Sequence, residues 1–109
     1  MKYKEALNLI NNNYQVLEKA NNFSEILVNK MLNNFNYYFI GLTEKNGEAY
    51  LSDMANTTKT ISVNEQDLHQ ICLKNNIEVF NGELNCKFNS ITNLNNLINC
   101  ISQIVNLNN

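Results

Sequence analysis

Two Asn-Gly pairs, Asn46-Gly47 and Asn81-Gly82, each stand between runs that read as strands. A two-residue type I′ turn needs positive φ at both central positions, which Asn and Gly adopt at least cost, so each pair predicts a β-hairpin. The first joins Tyr37-Tyr38-Phe39-Ile40-Gly41-Leu42 to Glu48-Ala49-Tyr50-Leu51. The second joins residues 77–80 to a run in which Leu84, Cys86 and Phe88 alternate with polar residues, as in a half-buried strand. With no proline and only 3 glycines in 109 residues, most other turns fall to asparagine, which makes up about a quarter of the chain. Leu, Ile, Val and Phe interrupt the asparagines every few residues. That excludes a prion-like tract and points to the codon usage of an AT-rich genome.

Helices surround these hairpins. Tyr3, Ala6, Leu7 and Ile10 make one apolar stripe, closed by Asn11-Asn12-Asn13. In the middle, Asn64 is a good N-cap, Glu65 and Asp67 suit the positive helix end, and Leu68, Ile71 and Cys72 form the inward stripe. The last helix carries Leu94, Leu97, Ile98, Ile101, Ile104 and Val105, with a cap near Thr92 or Asn93. Residues 14–20 lean to strand through Val16, with a continued helix as the alternative. Residues 23–32 stay open. Leu27, Val28, Met31 and Leu32 fit a helix capped by Ser24, while Ile26 and Val28 fit a strand. The expected fold is one α+β domain over residues 1–109. It has a mostly antiparallel sheet of about four to six strands, with the N-terminal, middle and C-terminal helices packed mainly on one face.

The chemistry expected of such a chain is narrow. Its eight basic residues are all lysines and its net charge is −2, which disfavours a nucleic-acid surface built on guanidinium forks and clustered positive charge. Tyr37, Tyr38, Phe39 and Tyr50 could stack single-stranded bases, but only Lys45 accompanies them in that hairpin. Cys72, Cys86 and Cys100 are odd in number, with no signal peptide ahead of them, so a reducing, cytoplasmic setting is expected. No apolar run reaches the ~20 residues of a membrane span. His69 and Cys72 could form a nucleophile–base pair or part of a zinc site. Their places on the stripe favour instead a buried thiol beside a surface imidazole. No phosphate-cradling loop, metalloprotease helix or nucleophile elbow is present, so neither an enzyme nor a cofactor is expected.

An interface is the remaining class. If Phe39 points inward, Tyr38 and Tyr50 point outward, and tyrosines on a rigid hairpin make good anchors with little rotamer entropy to lose. Glu44 and Glu48 flank the first turn and Asp53 follows it. Tyr38, Tyr50, Glu44, Glu48 and Asp53 are therefore the candidate partner-binding residues.

The stretch Asn36-Tyr37-Tyr38-Phe39-Ile40-Gly41-Leu42 with Gly47-Glu48-Ala49-Tyr50-Leu51-Ser52-Asp53 resembles the bacterial and phage family called "domain of unknown function 1828". Members there carry a strand, a turn, and a second strand ending in Leu-Thr-Asp-Asp-Gly. Ile77-Glu78-Val79 with Glu83-Leu84 is similar to that family's later hairpin before a C-terminal helix, and the likeness spans about residues 25 to 105. Met54-Ala55 stands where the family has Asp-Gly, and Asn29-Lys30 where it has Thr-Pro, so of an acidic pair only Asp53 is kept. The resemblance implies a setting among phages and mobile elements. The expectation is then a non-catalytic protein-binding module, an inhibitor of the anti-CRISPR kind that occludes a surface of a host defence nuclease complex. The alternative is a small oligomerising structural or regulatory domain, such as a homodimer formed through the C-terminal helix.

Overall fold

A computed structural model describes residues 1–31 and 37–107, and for residues 29–31, 37 and 38 the backbone alone. In order along the chain stand α1 (Tyr3–Asn11), β1 (Val16–Ala20), β2 (Phe23–Met31), β3 (Tyr37–Lys45), β4 (Glu48–Ser52), α2 (Asn56–Thr60), α3 (Glu65–Lys74), β5 (Glu78–Phe80), β6 (Glu83–Lys87) and α4 (Ile91–Asn106). The strands form one antiparallel sheet in the order β1-β2-β3-β4-β6-β5. This is the α+β arrangement expected, with helices at the start, middle and end. No described helix is long and apolar enough to cross a membrane.

Both hairpins close as their turn residues dictate. Asn46 and Gly47 take φ of 52° and 81°, and Asn81 and Gly82 take 50° and 80°. The open question over residues 23–32 is settled by pairing. β2 lies between β1 and β3, and Ser24, Ile26 and Val28 turn inward on strict alternation. Ser24 is no helix cap. It is fully buried, and its hydroxyl shares a hydrogen bond with the Tyr3 hydroxyl, which ties α1 to β2.

One sheet face carries the core. Ile26, Ile40, Leu42, Ala49, Leu51 and Leu84 are fully buried and meet the apolar stripes of the helices. On α4 the stripe is Leu94, Leu97, Ile98, Cys100, Ile101 and Ile104. That helix starts at Ser90, two residues earlier than Thr92, because Asn93 serves as the partner of the cap: its Oδ1 accepts from Ser90 N at 3.0 Å. Asn64 caps α3 as expected, accepting from Asp67 N at 2.8 Å. Helix α2 has no apolar periodicity to announce it. Met54 and Ala55, both left-handed, turn the chain into it from β4.

Candidate functional site

Asp53 directly follows β4, with 0% of its surface exposed. Its carboxylate accepts three backbone N–H groups: Ala55 at 2.9 Å, Thr57 at 3.2 Å and Leu84 at 2.8 Å. Burial holds its pKa above the ordinary value, against the pull of those hydrogen bonds. Beside it the Ser52 hydroxyl donates to Glu83 and accepts from Met54 N at 2.9 Å. Asp53 thus joins β4, α2 and β6 from inside and offers no surface to a partner.

The other residues singled out by sequence do not converge. Tyr50 lies opposite Thr43, half-buried on the sheet face away from the core, with Lys45 Nζ 5.2 Å from its ring centre. Glu48 lies opposite Lys45 on that face, yet its carboxylate takes the Met1 amino group at 2.6 Å, which lowers its pKa. Glu44 lies opposite buried Ala49, so it belongs to the other face, where Asn22 Nδ2 approaches it at 3.4 Å. The side chain of Tyr38 lies outside the described residues. On the face of Tyr50, Phe23 and Met54 close over Gly41. A Cβ there would stand 3.1 Å from Phe23 and 3.3 Å from Met54 Sδ, so both side chains lie against the glycine.

A shallow concavity lies at a different place. Between α3 (His69, Cys72, Leu73) and the segment of Ile77 and β5 (Glu78, Val79, Phe80) opens a pocket of about 370 Å³. Leu73 is 79% exposed and Phe80 72%, the two most exposed large apolar side chains among the described residues. The local reason is geometric. Leu73 sits about 100° further round the helix than Cys72, off the inward stripe. Phe80 is out of phase with Val79, which packs against the core. The signal is present in the sequence, as an apolar residue off its stripe and another out of strand phase.

As expected, Cys72 is buried and His69 exposed, with His69 Nε2 3.8 Å from Glu65 Oε1. Among the described residues no cluster of three or more His, Cys, Asp or Glu side chains could hold a metal ion. Set against family models, curated proteins and solved structures, the chain matches none of them.

Proposed function

We propose that this chain is a non-catalytic protein-binding module that takes an extended segment of a protein partner along the outer side of β5. An apolar side chain of that segment enters the α3–β5 pocket. The exposure of Leu73 and Phe80 together at the mouth of that pocket carries the proposal. A single exposed leucine or phenylalanine is ordinary on a soluble surface. Two beside a concavity and a sheet edge are the parts that strand addition uses: main-chain hydrogen bonds for affinity, a side-chain pocket for specificity.

The two edges of the sheet support the choice. β1 carries Glu18 and Lys19 and slips register against β2 between Glu18 and Ala20, features that blunt an edge. β5 pairs with β6 without a slip through all 3 of its residues and ends in Phe80. Its one charge, Glu78, favours a lysine or arginine beside the apolar anchor of the partner. In its narrower form the partner is a bacterial defence complex that the domain occludes in a reducing cytoplasm. The phage-family resemblance supports the partner, and the three free thiols support the compartment.

The test is capture by tagged wild type and by Leu73→Asp/Phe80→Asp, from a nuclease-treated bacterial lysate, with light scattering on both proteins. The variant keeps its fold, since both side chains stand in water. It loses a stoichiometric partner, at about 2 kcal/mol or more for an anchor, roughly thirtyfold in Kd. Undiminished capture by the variant removes the pocket as the site. A captured defence nuclease establishes the narrower form. Association of the chain only with itself moves the function to the oligomerising domain.

A further inference from the structure

Cys72 and Cys100, on α3 and α4, bring their sulfurs to 3.8 Å inside the core, and both are free thiols. They are 28 positions apart, so no motif announces the pair. A disulfide bond is about 2 Å long, which leaves a small gap to close. Neither thiol is open to water, with Cys72 2% exposed, but only one of the two borders a concavity. Cys72 forms part of the α3–β5 pocket lining, while Cys100 is 0% exposed. Their contact divides the roles in the same sense. Cys100 donates its S–H to the Cys72 sulfur, which lowers the pKa of Cys72 against burial and the charge of Asp53. The same contact, together with burial, raises that of Cys100. Cys86 provides the internal contrast. Burial pushes it up to about 12, and its thiol points at Asn93 O, 3.8 Å away.

We propose that Cys72 and Cys100 are a peroxide-reactive pair that closes to a reversible disulfide, with Cys72 as the attacking thiol and Cys100 as the resolving one. The Cys72 thiolate attacks one oxygen of hydrogen peroxide entering through the pocket. An S–O bond forms, the O–O bond breaks, and the departing hydroxide takes up the proton lost by the thiol to leave as water. The Cys100 sulfur then attacks the sulfenic sulfur of Cys72. The S–S bond forms, the S–O bond breaks, and a second water leaves with the Cys100 proton. Two thiols lose two electrons and one peroxide becomes two waters. A small-molecule thiol reverses the reaction and is itself oxidised to its disulfide. The pair stands on its own geometry and does not depend on the docking of a partner at the pocket.

The experiment treats the native full chain with hydrogen peroxide, alkylates the remaining thiols, and reads intact and peptide masses. Wild type keeps one alkylated thiol, Cys86, and yields a Cys72–Cys100 linked peptide that dithiothreitol releases. Cys100→Ala stops at a Cys72 sulfenic acid trapped by dimedone, and Cys72→Ala gives neither product. Three alkylated thiols in native wild type, at a peroxide dose that oxidises them in urea, overturn the proposal. So does a linkage through Cys86. The wild-type result decides even where a variant does not fold.

Discussion

The two Asn-Gly turns have the same dipeptide and nearly the same backbone, yet the chain holds them in opposite ways. A Cβ on Gly47 would meet nothing within 4 Å, so the tip of the first hairpin projects into open space. A Cβ on Gly82 would stand 2.7 Å from Thr58 Oγ1. That hydroxyl donates to Gly82 O at 2.8 Å, Ser52 reaches Glu83, and Asp53 takes Leu84 N. The difference follows strand length. β3 has 9 residues and pairs on both sides, whereas β5 has 3 and lies at an edge. A hairpin that short is marginal alone. The β4–α2 connection supplies from outside what the first hairpin has in its own ladder.

The largest break in that support is loss of Asp53. Asp53→Ala leaves two buried backbone donors and a half-buried one without their acceptor and costs about 3 kcal/mol in chemical denaturation. Asp53→Asn isolates the charge. Because burial raises the folded pKa of Asp53 above its ordinary 3.8, the folded state holds this proton more tightly. The contribution of the group is therefore fully present below the unfolded value and is lost as pH rises through the folded one. Wild-type stability minus that of Asp53→Asn falls with pH across that window and is flat above it. A difference that rises there would mean that the three N–H groups outweigh burial, and that the carboxylate is a welcome charge.

Next in size is Gly82→Ala, at about 2 kcal/mol. Roughly half is the left-handed backbone that alanine resists, and half is displacement of Thr58 from Gly82 O. A double-mutant cycle separates the halves. With Thr58→Ala in place there is no hydroxyl to displace, so Gly82→Ala costs about 1 kcal/mol and the coupling is about 1 kcal/mol. Zero coupling would make the turn conformation alone responsible.

What could be read from sequence divides along this line between local and tertiary cause. Turn conformation is local, so both hairpins were legible from four residues. The faces of α1, α3 and α4 were legible because periodicity records which side is wet. β2 was not, since Leu27, Val28 and Met31 fit a helix while Ile26 and Val28 fit a strand, and only pairing on both sides chooses strand. Nor was the insertion of β6 between β4 and β5, which loop chemistry does not encode. The site was least legible. Asp53 read as a surface acid because a buried carboxylate is recognised by the N–H groups that converge on it, and these come from residues as distant as Leu84. The Cys72–Cys100 contact depends likewise on how α3 crosses α4.

The smallest effect belongs to the first turn, and it sharpens the contrast most. Gly47→Ala keeps the I′ geometry and meets no neighbour, so its cost is that of alanine at φ near 81° alone, about 1 kcal/mol. No second-site change elsewhere in the chain should alter that figure, because nothing but backbone conformation opposes the methyl group. Gly47→Asn recovers part of it, since asparagine tolerates positive φ better than alanine, as Asn46 beside it does at 52°. Gly82→Asn recovers nothing, because any Cβ there still strikes Thr58. If asparagine rescues both positions equally, contact with Thr58 is not what distinguishes them, and the second hairpin stands by its own strands like the first.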